Sequence, residues 1–450
     1  MKRPEAAPSL KDIMATINHE ELGKLFSPPL AQTLPTVHGK YLHWSELRHR
    51  DPPEGFDHKL WWATIKLARS QPRKVIPLQD AGGTNFSFGM PDMVLEMLYK
   101  IDGKATGQVA ISDQITNPDT RNRYIVSSLI LEAIRSSQLE GASTSRKVAS
   151  NMLRSGRKPK DRNQRMILNN YLAMRHIRDI KGEDLIPERV LELHKMVTDQ
   201  TLEDSAAAGK LQTNEDERVR VFDNKSGKIL HVPPSVDQLP GRLKALCVFA
   251  NEEHTGSNFI HPIIKAIILH FWIGFDHPFE DGNGRLARAL FYWSMLRQNY
   301  WLFEFLSISG NIRKAPAKYG YAYLYSETDE NDLTYFIIQQ LQVIISSIAD
   351  LEKHLHKKIQ QVAVLEGKLK KIGKFNHRQL ALLSHALRGY RDGYTIGSHQ
   401  RSHGIAYATA RADLLTLQTH DLLFRGSEKS KAMRFYPVEN LNEIIRKLSA

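Results

Sequence analysis

The spacing of apolar positions changes several times along the chain. Residues 1 to 105 carry short apolar runs broken by Pro and Gly (PPL, DPPEG, DAGGTNFSFGMPD), a texture of short helices and a few strands whose function is not legible. From Thr120 the apolar residues fall three and four apart, and Ile125, Leu129, Ile130, Ala133, Ile134 and Leu139 predict a helix over Arg121 to Arg146. The same period predicts helices at Gln164 to Ile177, Pro187 to Leu202, Val236 to Asn251, His261 to Phe275, Gly284 to Gln298 and Asp332 to Ile348. The expected fold class is mainly α.

One segment has the other period. Arg218 to Phe222 alternates, Asn224 to Gly227 has turn chemistry, and Lys228 to Val232 alternates again before Pro233 and Pro234 stop it, which predicts a β-hairpin over 218–232. Beyond Asp350, Leu351, Leu355, Ile359, Val362, Leu365 and Leu369 mark an amphipathic connector over 351–374, which could pack within the chain or against a second copy as a homodimer. Residues 375–450 read as helix (Asn376 to Leu387), short helix (Thr395 to Ser402), turn at Gly404, helix (Ala408 to Thr419), then LLFRG and RFYP as strands. That order is a winged helix-turn-helix, with Ala408 to Thr419 as the groove-reading helix. Gly426 to Met433 is then the wing, and Lys429, Lys431 and Arg434 are placed for phosphates.

Charge sharpens that reading. The chain has 62 Lys and Arg against 49 Asp and Glu in 450 residues, a formal charge of +13. The last 100 residues hold 18 of the former and 8 of the latter, so +10 of the excess belongs to the C-terminal module and fits a polyanion such as DNA. With 41% hydrophobic and 25% charged residues the composition is that of a folded globular protein of several domains, not a disordered or fibrous one. No apolar stretch approaches the roughly 18 residues of a membrane span, the first residues lack the apolar run of a secretory signal, and Cys247 is the lone cysteine. Disulfide frameworks and multi-thiolate zinc sites are excluded, no membrane association is expected, and a cytoplasmic location fits.

The chemistry is concentrated in His277 to Arg288, HPFEDGNGRLAR. Pro278 disfavours helical geometry at His277, which leaves the imidazole in a loop at the end of an apolar helix. Gly282, Asn283 and Gly284 form a turn directly before a new helix, where backbone N–H groups and the helix dipole make an anion cradle. Arg285 and Arg288, three apart, can reach phosphate oxygens, and Glu280 supplies a carboxylate of the kind Mg²⁺ takes alongside substrate phosphates. A base, a phosphate cradle, two arginines and a metal carboxylate describe phosphoryl or nucleotidyl transfer, with a histidine of ordinary pKa near ~6.5 suited to deprotonating a hydroxyl.

The segment resembles the signature of the Fic family: His-Pro-Phe, an acidic residue, one free position, Gly-Asn-Gly-Arg, two free positions, Arg. The resemblance implies a helical Fic domain that transfers AMP from ATP to a Ser, Thr or Tyr hydroxyl of a target protein, or of the chain itself. His277 would be the general base, Glu280 the Mg²⁺ ligand, Gly282, Asn283 and Gly284 the binders of the α- and β-phosphates, Arg285 a phosphate ligand and Arg288 the γ-phosphate ligand. The hairpin would be the flap that clamps the target by strand addition, through Val221, Ile229 and His231. Ser136-Ser137-Gln138-Leu139-Glu140-Gly141 resembles the family's inhibitory helix, whose motif residues here are Ser136 and Glu140, and in which Glu140 would pair with Arg288 in cis and exclude the γ-phosphate. Tyr319 looks like a family tyrosine near the adenine.

On this reading the Fic domain covers 106–350, with the inhibitory helix at about 121–146 and the flap at 218–232. The expected function is an Mg²⁺- and ATP-dependent protein adenylyltransferase. Two alternatives stand beside it: removal of AMP or transfer of another phosphate-linked group by the same site, and a DNA-binding regulator with the Fic fold as nucleotide sensor.

Overall fold

The computed structural model describes residues 2–25, 34–70, 73–105, 118–213, 218, 220–222, 227, 229–390, 393–426 and 433–449, with 118–123 as backbone. The chain divides into two compact units: residues 1–109 with 127–348, and residues 110–126 with 349–450. Helices predominate in both.

In the first unit the centre is a pair of helices, Pro262–Asp276 and Asn283–Arg297, that pack along each other and are buried on nearly every side. Their sequences read PIIKAIILHFWIGFD and NGRLARALFYWSMLR, apolar almost all round, as a helix enclosed by other helices must be. Helices Arg162–Asp179, Pro187–Thr198 and Leu239–Asn251 surround the pair. Asp161 caps the first of these through the Gln164 N–H at 2.8 Å, and prolines start the others without losing a needed donor.

The N-terminal region has the short helices Leu10–Met14, His19–Leu25 and Trp44–Leu47, a longer one at His58–Arg69, and a hairpin of Lys74–Gln79 with Asn85–Phe88. It builds a core of its own around Trp44, Leu60, Trp61, Trp62 and Ile65. A charge network ties it to the loop before Thr334. Lys66 meets Asp329 at 2.7 Å, Arg73 meets Asp332 at 2.7 Å, Tyr41 donates to Asp332 at 2.6 Å, and Arg69 donates to the Tyr335 hydroxyl at 2.8 Å. Asp329 and Asp332 are fully buried.

Three boundaries differ from the sequence reading. The helix expected at Arg121 to Arg146 is Pro118–Leu139, and a separate helix begins at Arg146. Gly141 stops the first by taking φ 93°, with the Ala142 N–H bonded back to the Ser137 carbonyl at 3.0 Å, and Ser145 caps the second. The helices expected at Asp332 to Ile348 and 351–374 are one, Thr334–Ile372, because no Gly, Pro or cap interrupts the junction. The hairpin strands are shorter than 218–232: Val221–Phe222 pairs antiparallel with Ile229–His231, and most of the turn between them lies outside the described residues.

The second unit has helices His377–Leu387, Ile396–His403 and Tyr407–Thr419, strands Tyr394–Thr395, Leu423–Arg425 and Arg434–Pro437 in the sheet order first–third–second, and a final helix Leu441–Leu448. Leu365 and Leu369 join its core with Leu383, Leu414, Leu417 and Phe435. The expected wing contacts Lys429 and Lys431 lie outside the described residues. Among the described residues no helix is long and apolar enough to cross a membrane.

Candidate active site

The helix Pro262–Asp276 ends at His277, whose backbone is left-handed at φ 43° and ψ 54°. Pro278 prevents a further helical turn, and the left-handed bend swings the imidazole out of the helical row. Asn283 holds the bend closed. Its side-chain amide donates to the Phe279 carbonyl at 2.7 Å, accepts from the Phe279 N–H at 3.0 Å, and lies 3.1 Å from His277 Nδ1. Burial, then the charges of His231 and Arg218, push the His277 pKa down to about 4, so the imidazole is neutral at pH 7.

The next helix starts with Gly282 at φ 89° as its N-cap and no side chain bonded to its first N–H groups. Those donors are the ones an anion would take. Gly282 is sterically required, and Gly284 lets the Glu140 carboxylate come close. A Cβ on Gly282 would stand 2.6 Å from Thr198 Cγ2, and one on Gly284 would stand 2.2 Å from Glu140 Oε1 and 3.1 Å from Arg288 Nη1. The Glu140 carboxylate therefore rests against the first turn of this helix, where a phosphate would be drawn by the same donors.

Arg288 is buried, and its fork is filled by the end of the Pro118–Leu139 helix. Nε donates to Ser136 Oγ at 2.8 Å, while Nη2 donates to the Ser136 carbonyl at 3.1 Å and to Glu140 Oε1 at 2.8 Å. Burial works to lower the Arg288 pKa, but the charge and hydrogen bond of Glu140, together with Tyr319 and Glu132, outweigh it and the guanidinium sits above its ordinary value. Higher on the same helix face, Glu132 accepts from Ser307 Oγ at 2.7 Å and from both donors of Ser309, which pins the helix that delivers Glu140.

Arg285 takes a different direction from Arg288. Its Nη1 donates to the Val197 carbonyl at 2.6 Å and its Nη2 faces Asp281 at 3.3 Å, while its buried Nε has no partner among the described residues. In this state the two arginines therefore take different acceptors, Arg285 the Val197 carbonyl and Asp281, Arg288 Ser136 and Glu140. Glu280 is exposed. Tyr319 bonds His270 Nε2 at 2.9 Å and lies 3.3 Å from the Tyr323 hydroxyl, within the field of Arg288.

Of the hairpin residues, Ile229 is exposed and Val221 partly so, but His231 is buried. Its Nε2 meets the Phe275 carbonyl at 2.7 Å and its Nδ1 meets Glu327 at 2.9 Å, so its side chain anchors the hairpin. Two residues to which the sequence reading gave no site role adjoin the site. His194 accepts the Gly209 N–H at Nδ1 (3.0 Å), leaving Nε2–H to donate to the Asp281 carbonyl (2.8 Å), and its ring stacks on Phe279 with centroids 3.7 Å apart. Arg218 bonds the backbone of His277. Nothing local in the sequence marks either.

Comparison with known proteins agrees with the motif. Residues 184–295 match the model of the Fic/DOC family. Over 136 residues the chain is 30% identical to the protein adenylyltransferase Fic of Drosophila yakuba and 29% identical to that of Drosophila melanogaster, in each case covering 30% of this chain and 25% of the relative. The chain thus spans about a quarter of the length of these curated relatives. A Fic family protein from Desulfovibrio desulfuricans G20, known from its crystal structure, superposes with a TM-score of 0.51 at 17% identity, covering 78% of this chain and 98% of that one. The mainly helical architecture around His277 is the Fic fold, and residues 184–295 are similar to the Fic/DOC family.

Proposed function

We propose that this chain is a protein adenylyltransferase that moves AMP from ATP to a Ser, Thr or Tyr hydroxyl and is held in check by Glu140. The observation that supports it best is the Glu140–Arg288 pair seated against Gly284, a carboxylate resting on an anion cradle that adjoins a neutral, loop-held histidine. In the transfer, neutral His277 takes the hydroxyl proton as the target oxygen attacks the α-phosphorus. A bond forms between that oxygen and phosphorus, the bond to the bridging oxygen breaks, and pyrophosphate leaves. The open N–H groups after Gly282 would hold phosphate oxygens, and Arg288 would bind the γ-phosphate once Glu140 has withdrawn.

The site fits a magnesium ion carried by the nucleotide. Among the described residues no group of three or more His, Cys, Asp or Glu is arranged to hold a metal alone. Glu280, exposed two positions before Gly282, would contribute one carboxylate to an ion otherwise ligated by phosphates and water. Such an ion would neutralise charge on the leaving pyrophosphate. The test is incubation of the full chain with α-labelled ATP, Mg²⁺ and host lysate. His277→Ala should fold, retain ATP binding and lose ~10² to 10⁴ in labelling rate; labelling at the wild-type rate would remove His277 from the reaction.

A second activity is proposed for the C-terminal unit, as a winged helix that binds duplex DNA. Its helix Tyr407–Thr419 exposes Tyr407, Ala408, Thr409, Arg411, Ala412 and Thr419. The acidic residue of that helix, Asp413, is turned inward to Arg378 at 2.8 Å and Asn376 at 2.7 Å. Arg401, Arg425 and Arg434 are exposed on the neighbouring elements, which supports a phosphate-facing surface.

A further inference from the structure

We infer that Arg218, at the base of the hairpin, sets the position of His277, so that the segment proposed to receive the target and the imidazole proposed to act on it move as one piece. This rests on the reading of His277 as the base.

An α-helix leaves its last carbonyls without partners inside the helix. At the end of Pro262–Asp276 the hairpin segment supplies those partners. His231 meets the Phe275 carbonyl at 2.7 Å, Arg218 Nη2 donates to the Asp276 carbonyl at 2.6 Å, and Arg218 Nη1 donates to the His277 carbonyl at 2.7 Å. Arg218 Nε donates to the Pro234 carbonyl at 2.9 Å, which fixes the guanidinium to the far leg of the hairpin. Arg218 also bonds Gln212 Oε1, and the Gln212 N–H reaches the Pro278 carbonyl at 3.0 Å. The peptide groups on both sides of the His277 Cα are therefore held from one buried side chain and its partner.

That clamp falls where the backbone needs one. A non-glycine residue at φ 43° persists only when its surroundings fix it. The planar fork of arginine spans two successive carbonyls at once, which a lysine ammonium on a flexible stem does not reproduce. Arg242 separately holds the Asp276 carboxylate at 2.6 and 2.8 Å, so the helix end has a second anchor besides Arg218. Arg218 thus acts through His277 as a positioning residue. A target strand laid on the hairpin would bear on Arg218, and through it on the imidazole.

The experiment uses the full chain carrying Glu140→Gly, with ATP labelling kinetics and ¹⁵N-histidine NMR, His277 being assigned by its loss in His277→Ala. Arg218→Lys should lower kcat at least tenfold, leave KM for ATP within about threefold and keep the melting temperature, while shifting the His277 ring resonance. Adding Arg218→Lys to His277→Ala should cost nothing more, because residues that act as a unit are not additive. Gln212→Ala, which loosens Arg218 without removing it, should move kcat and the resonance in the same direction by less, and it decides the matter if Arg218→Lys does not fold. An unchanged kcat, an unmoved resonance or fully multiplicative losses would overturn the inference. If His277→Ala labelled at the unmutated rate, the base assignment would fall with it; an immobile His277 resonance would sink the clamp alone.

Discussion

The Glu140 carboxylate lies 2.8 Å from Arg288 Nη2 although 148 positions of chain separate the two residues. Arg288 is 2% exposed and Glu140 27%, so water screens the contact from one side only. A charge-assisted contact of this kind is worth about 1.5 to 3 kcal/mol, and ~1.4 kcal/mol is tenfold in an equilibrium. Glu140→Gly should therefore raise labelling roughly 10- to 100-fold. Glu140→Gly with Arg288→Ala should not, since the γ-phosphate then has no partner. Initial labelling rates of both variants, with melting temperatures alongside, separate release of a brake from loss of a helix end.

Gly284 tests the cradle itself. Its backbone is helical, so alanine suits the local conformation, yet the added methyl projects to within 3.1 Å of Arg288 Nη1. In a Glu140→Gly background, where the clash with the carboxylate is gone, Gly284→Ala should weaken ATP binding at least tenfold with little change in melting temperature. Unchanged affinity by calorimetry would exclude this turn as the phosphate site.

Acid should unfold the first unit early. Burial pushes His43 and His194 down to about 4 and His270 to about 3. As pH falls from 7, the unfolded chain takes up these protons at about 6.5 while the folded chain does not, so the stabilisation is complete above 6.5 and is lost below it. Each histidine should remove roughly 2 kcal/mol between pH 7 and pH 5. Glu132 and Asp276, whose carboxyls burial raises, work in the opposite direction, and Asp332, held well below the usual carboxylate range by Arg73 despite its burial, stays ionised across that window. Urea unfolding at both pH values should show the loss, and His270→Gln should reduce it; a flat profile in both proteins would contradict the assignment.

Binding of duplex DNA by the full chain should weaken steeply with salt, by about 0.9 log units per log unit of salt for each phosphate contacted. Arg401→Ala and Arg411→Ala should each reduce that slope by about one contact while leaving adenylyl transfer unchanged. Association that ignores salt would instead indicate a protein-docking role for this unit.

The legible parts of the molecule were the ones whose chemistry is local. His277, Gly282, Asn283, Gly284 and Arg288 lie within twelve residues, and the turn, the helix start and the exposed N–H groups follow from Pro and Gly placement alone. Glu140 was reachable through a short motif, but its contact with Gly284 was not. Arg218 and His194 act through backbone carbonyls far along the chain, and a carbonyl carries no sequence signal. For the same reason the contact of Arg285 with the Val197 carbonyl was not legible. The long helix Thr334–Ile372 was divided because the apolar stripe changes partners near Asp350 without a break in the backbone.

The charge network between the N-terminal region and the loop before Thr334 has a bearing on how the chain can be dissected. Asp329 and Asp332 face Lys66, Arg69, Arg73 and Tyr41, all of which lie before residue 106. A fragment cut at that boundary would keep both carboxylates in the interior and discard the cations that, among the described residues, balance them. Removing one partner of a buried pair typically costs about 3 to 5 kcal/mol, and two such losses approach the whole margin of ~5 to 15 kcal/mol by which a domain stays folded. Residues 1–105 are therefore an integral wall of the first unit, and a minimal fragment that folds has to begin upstream of Tyr41.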